Sequence, residues 1–94
     1  MKIPKEIKGY GFVYPVILKK KVKDKEGTWL GLIKHRQGII ELDKNMHHRA
    51  IEANLLHEIM HFVNAEERTR LNEDKIEKLG RGLYQVLKDS GLLK

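Results

Sequence analysis

Residues 45–63, NMHHRAIEANLLHEIMHFV, are where the chain changes its hydrophobic period. At 100° per residue, Ala53, Leu55, Leu56, Ile59, Met60, Phe62 and Val63 form one broad apolar arc, which predicts an amphipathic helix over 47–63. His57 and His61 lie together at a margin of that arc, one turn apart on one face. Asp43 or Asn45 is the expected cap of the helix entry.

Upstream the pattern belongs to strands. FVYPVILKKKV (12–22) is rich in β-branched and aromatic residues, and Pro15 inside it calls for an edge position or a bulge. After the turn-like KDKEG, the segments TWLGLI, KHRQG and IIEL predict two strands joined by a short glycine-containing hairpin loop. Downstream, NAEERTRLN is a polar connection to a last helix. Asn72 caps that helix, Glu73 and Asp74 occupy its first turn, and Ile76, Leu79, Leu83, Val86 and Leu87 supply its apolar positions before Gly91 stops it. Gly80 and Gly82 each cost about 1 kcal/mol relative to Ala within a helix, which points to close packing against the HEIMH helix. The expected fold is α+β: an antiparallel sheet of about three strands, then two helices.

With 94 residues, the chain has room for one domain, 1–94, and one modest core. No stretch is long and apolar enough for a membrane span, and MKIPKEIKGYGF lacks the apolar run of a secretory signal, so a cytoplasmic location is expected. Without cysteine there is neither a disulfide nor a thiolate ligand; a bound metal must use histidine and carboxylate. The net charge of +6 suits nucleic acid, acidic partners or plain solubility. Its densest cluster, Lys19, Lys20, Lys21, Lys23 and Lys25, has no interleaved aromatics and is more simply a solvated strand end and hairpin tip.

Two histidines at i and i+4 with a glutamate after the first is the spacing by which a helix presents two imidazoles to one zinc ion and a general base beside it. The plain alternative is an amphipathic helix with two surface histidines. If zinc binds, His57 and His61 are ligands, Glu58 is the base, and a third ligand must come from elsewhere. His35 lies in the hairpin loop, His47 and His48 lie too far up the same helix, and no histidine follows the motif. A carboxylate of the last helix is favoured over these. Of Glu66, Glu67, Glu73, Asp74 and Glu77, the helical projection places Glu73 beside the apolar arc in line with Gly80, with Glu77 one step further out and Asp74 facing away. Glu77 is either a hydrogen-bond acceptor for a ligand histidine or, more simply, a solvated side chain. Glu73 has its own plain role as dipole compensation at a helix N-terminus.

HEIMH followed on a later helix by NEDKIE (72–77) resembles the gluzincin type of zinc metallopeptidase, where HExxH precedes a ligand glutamate often set within N-E-x-x-x-D. Glu73 matches that ligand, and Glu77 stands where the family has Asp. Size and element order are similar to the single-domain minigluzincins and to small HExxH proteins of phages and mobile elements. The resemblance implies a peptidase that binds Zn²⁺, a small twisted sheet, and an edge strand above the metal that pairs with an extended peptide or protein substrate. It assigns that strand loosely to GIIEL (38–42). Larger gluzincins also have a Tyr or His that stabilises the oxyanion; none is assigned in this chain, since Tyr84 lies about 16 Å along the helix from Glu73 and is more simply a packing residue.

The rival expectation is a small basic module that binds protein or nucleic acid, with a structural metal or none; a latent protease is a third. A helix-turn-helix is disfavoured by the long acidic connection NAEERTRLNED and by the lack of a basic stripe at the start of the last helix.

Overall fold

Pro15 is where a strand changes partners. In the computed structural model, which describes residues 1–94, strand β1 (Glu6–Gly9) runs antiparallel to the first half of β2 (Phe12–Lys19), pairing Glu6 with Pro15 and Gly9 with Phe12. From Val16 onward, β2 instead pairs in parallel with β6 (Ile39–Asp43). Pro15 has no N–H to donate and falls at the handover. Strand β5 (Gly31–Lys34) lies antiparallel on the other side of β6, giving a four-stranded sheet in the order β1-β2-β6-β5. Between β2 and β5 the chain makes a separate two-stranded ribbon, β3 (Val22–Asp24) and β4 (Gly27–Trp29).

The class is α+β as expected. The sheet differs from the three antiparallel strands read from the sequence: FVYPVILKKKV divides between β2 and β3, TWLGLI divides between β4 and β5, and the central pair is parallel. The assignment of the edge strand is also corrected. GIIEL contains the central strand β6, flanked by β2 and β5, and the free edge beside the helices is β5.

Helix α1 (His48–Glu67) is longer than predicted, and its cap is His47 rather than Asp43 or Asn45. Nδ1 of His47 accepts from the Arg49 N–H, while Asp43 closes its own turn by accepting from the Asn45 N–H. Helix α2 (Glu73–Asp89) begins as expected: Asn72 Oδ1 accepts from the Lys75 N–H at 2.9 Å. One sheet face and α1 enclose the core of Tyr14, Ile33, Ile40, Leu42, Ile51, Leu55 and Phe62. Each such fully buried side chain contributes about 1.5–3 kcal/mol. Ile33, Ile40 and Leu42 are brought to one face by period-two alternation.

On α2 only Ile76 of the apolar positions is buried; Leu79, Leu83 and Val86 are exposed. Gly80 is buried where the helices cross, with the place of its missing methyl 3.7 Å from the Cα of His57. Gly82 faces open space, so the packing reason applies to Gly80 alone. No helix is long and apolar enough to cross a membrane.

Candidate metal centre

The α1–α2 crossing at Gly80 sets the first turn of α2 against the histidine face of α1. Nε2 of His57 lies 2.9 Å from Oε1 of Glu73, and Nε2 of His61 lies 2.8 Å from Oε2 of the same carboxylate. The two imidazole rings stand at 71° with centroids 4.8 Å apart. Donor atoms of His57, His61 and Glu73 all fall within 4.8 Å of one another. Tetrahedral zinc with bonds near 2.1 Å separates its donors by about 3.4 Å, so two nitrogens and one carboxylate oxygen at these spacings fit such an ion with small side-chain adjustments.

Of the remaining candidates, only Glu77 joins the group. Its Oε2 is 3.1 Å from Nδ1 of His57, within reach of a ligand histidine, while its side chain stays about half exposed, as the solvated alternative had it. Asp74 pairs with Lys78, and Glu67 accepts from the Tyr10 hydroxyl. His47 is the helix cap and His48 reaches the Met1 carbonyl. His35 borders the same cleft but is outside the donor cluster. Tyr84 donates to Glu52, away from the centre, and is a packing residue as expected.

Glu58 is buried beside this cluster, and its Oε1 accepts the backbone N–H of Ile33 at 3.1 Å. The bond identifies which groups of β5 face outward. Leu30 gives its carbonyl to the Asp43 N–H, so strand alternation turns Leu32 and Lys34 toward β6 and leaves the polar groups of Gly31 and Ile33 on the free edge. Glu58 takes one of those groups and is thereby fixed to the edge strand. Gly31 lies beside it: a methyl there would be in ordinary contact with Oε2 of Glu58, at 3.4 Å, and tight against Cδ2 of Leu42, at 3.0 Å.

No family model matches the chain, and neither a curated protein nor a solved structure is significantly similar to it. Function is therefore argued from the site itself.

Burial pushes the Glu58 carboxyl up to about 7; the charges of His57 and the Ile33 hydrogen bond oppose this, and Glu73 adds to it. A dication bound alongside would lower it again. Burial also depresses His61 below the ordinary imidazole range, with the Glu73 charge opposing and His57 and His35 reinforcing. A neutral imidazole is the form that ligates. Histidines, glutamates and β5 together line a cleft of about 400 Å³ that continues to the β3–β4 ribbon.

The sequence reading missed two buried carboxylates, Glu52 and Glu41. Neither belongs to the site. Glu41 sits on the sheet face opposite the core between Lys19 and Lys34, and burial, which would raise its pKa, is outweighed by those two ammonium groups.

Proposed function

We propose that the chain is a zinc-dependent metallopeptidase of minimal, gluzincin-like form, with His57, His61 and Glu73 as ligands and Glu58 as general base. The observation that carries this reading is the convergence of three donors from two helices next to a buried glutamate that is itself hydrogen-bonded to a free strand edge. Isolated surface histidines have no need of the last feature.

Zinc in such a site supplies Lewis-acid chemistry, making water acidic and polarising a carbonyl. The residues of the chain supply the rest. Glu58 takes a proton from the attacking water and passes it to the departing amine, so no covalent intermediate with the protein is formed. The outward groups that Glu58 leaves free, those of Gly31 and the Ile33 carbonyl, offer hydrogen bonds to an extended peptide laid along β5, holding its scissile bond beside Glu58. Glu77 holds His57 with Nε2 turned toward Glu73.

The test is elemental analysis of untagged protein, wild type against Glu73→Ala, followed by cleavage of a peptide mixture by the zinc-loaded wild type. Near one zinc per chain, lost or much weakened in the variant, with cleavage removed by Glu58→Gln, supports the reading. No zinc after reconstitution overturns it in favour of the small basic binding module. Zinc without cleavage overturns the enzymatic part and leaves a structural metal or a latent protease.

A further inference from the structure

The cleft does not share the charge of the chain. Of its 11 lining residues, four are carboxylates (Asp24, Glu26, Glu58 and Glu73) and none is Lys or Arg, whereas the whole chain carries 19 Lys and Arg against 13 Asp and Glu. Glu58 and Glu73 are used by the metal centre. Asp24 and Glu26 are not, and they stand on the ribbon wall together with Trp29.

These three residues are fixed to one another. Trp29 Nε1–H donates to Asp24 Oδ1 at 2.9 Å, and the same oxygen accepts the Glu26 N–H at 2.8 Å. The indole is thus held against a carboxylate at the hairpin turn. Its hydrogen bond, with that from Glu26, keeps the Asp24 carboxyl below the usual carboxylate range, hence ionised at neutral pH. If Trp29 served only to close the hairpin, its ring would be expected to turn inward with Val22, its cross-strand partner, which is fully buried. Instead it stays 41% exposed and lines the cleft. An aromatic face beside an ionised carboxylate is the combination that receives an ammonium or guanidinium group, the stem lying on the ring and the head on the acid. The opposite flank of the ribbon is basic, with Lys23, Lys25, Lys34 and Arg36 around a neighbouring hollow that Asp24 and Glu26 also border. Cation selectivity therefore belongs to the Trp29 side.

We propose that Trp29, Asp24 and Glu26 form a subsite for a cationic side chain, Lys or Arg, of the peptide substrate. The proposal rests on the peptidase reading for the word substrate, and its test separates the two. Trp29 is the only tryptophan in the chain, so its fluorescence reports on this wall. The full chain carrying Glu58→Gln, which does not consume peptide, is titrated with tryptophan-free octapeptides of Ala and Ser. Each carries a single Arg, Gln or Glu at successive positions. At one position the Arg peptide is expected to bind about tenfold more tightly than its Gln counterpart and to shift Trp29 emission, with the Glu peptide weakest. Glu26→Gln, at an exposed position, and Asp24→Asn, which retains an oxygen for Trp29, should each shrink that preference to about twofold. The absence of any Arg-favoring position, an unchanged preference in both variants, or an unresponsive Trp29 would overturn the subsite. Wild-type cleavage of the same peptides is scored separately. Cleavage without an Arg preference leaves the peptidase and removes the subsite, whereas preferential binding without cleavage does the reverse.

Discussion

Glu77 holds Nδ1 of His57 at 3.1 Å while the other nitrogen of the same ring faces Glu73 at 2.9 Å. If Nδ1 carries the proton, it donates to Glu77 and the Nε2 lone pair is available to an ion. Glu77 is about half exposed, so its truncation should alter stability by no more than about 0.5 kcal/mol. Zinc affinity of Glu77→Ala, measured by competition with a chromophoric chelator, is expected to fall about 10–100-fold. An unchanged affinity would reduce the contact to a surface ion pair.

Glu58 is fixed at one oxygen by the Ile33 N–H, and its other oxygen lies 3.4 Å from where a methyl at residue 31 would fall. Glu58→Gln keeps an acceptor for Ile33 but cannot take a proton. It should bind zinc as the wild type does and lose cleavage by roughly 10²- to 10⁴-fold. Gly31→Ala acts on the same carboxylate indirectly. Its methyl would lie 3.0 Å from Leu42, a fully buried side chain with little room to give. A loss of about 1–3 kcal/mol in thermal or denaturant unfolding is expected, with a fall in kcat/KM of any substrate the wild type cleaves.

The two helices and the grouping of His57, Glu58, His61 and Glu73 were legible in the sequence because their signals are local: a 3.6-residue period, an i, i+4 pair, an Asn cap. The sheet was less legible. Its central pair, β2 with β6, joins Val16 to Ile40 across the intervening ribbon and β5, and no short-range pattern encodes that pairing. Taking 38–42 as the edge followed from its place before the helix, whereas Ile40 and Leu42 are in fact fully buried mid-sheet. Glu52 had no local signal either, because its partners Tyr84 and Lys88 are 32 and 36 residues away. Leu79, Leu83 and Val86 were projected onto the core side of α2, but α1 covers only the line through Ile76 and Gly80.

Asn64 connects the end of α1 to the start of α2. Its backbone carbonyl accepts from the N–H groups of Arg68 and Thr69, its Oδ1 accepts from the Thr69 hydroxyl and the Leu71 N–H, and its Nδ2 donates to the Leu71 carbonyl. Arg68 and Arg70 are held at φ of 55° and 59° in that connection, a conformation costing non-glycine residues about 1 kcal/mol each. Leu71 is thereby placed two residues before Glu73. Asn64→Ala should cost about 1–2 kcal/mol in stability and also weaken zinc binding at temperatures where the protein is fully folded. Asn64→Asp, which keeps the acceptor and loses the donor, is expected to restore part of the affinity. A destabilised variant with wild-type affinity would confine Asn64 to the fold.

Glu52 ties α1 to both α2 and the start of the chain. It is fully buried, accepts from the Tyr84 hydroxyl at 2.7 Å and from Lys88 Nζ at 3.1 Å, and lies 2.6 Å from the Met1 amino group and 3.8 Å from Nε2 of His48. Burial alone would raise its pKa, but the Met1 ammonium, Tyr84 and Lys88 outweigh it and hold the carboxyl at about 2 against an ordinary 4.5. A carboxyl whose pKa is lowered by folding contributes its full stability above the unfolded value and loses it as pH falls through the interval down to the folded one. The contribution of Glu52 to the unfolding free energy should therefore be steady from pH 7 to 5 and fall between about 4.5 and 2. Glu41 and Asp24, also lowered, add to this acid limb, so the part due to Glu52 is the difference between wild type and Glu52→Gln. The variant is expected to lose about 3 kcal/mol at pH 7, the low end for removing one partner of a buried pair, since Lys88 and the Met1 amino group keep some access to water. Its stability should then depend less on pH below 4.5, so the two curves converge toward pH 2; parallel curves would mean that Glu52 is not held ionised by these partners.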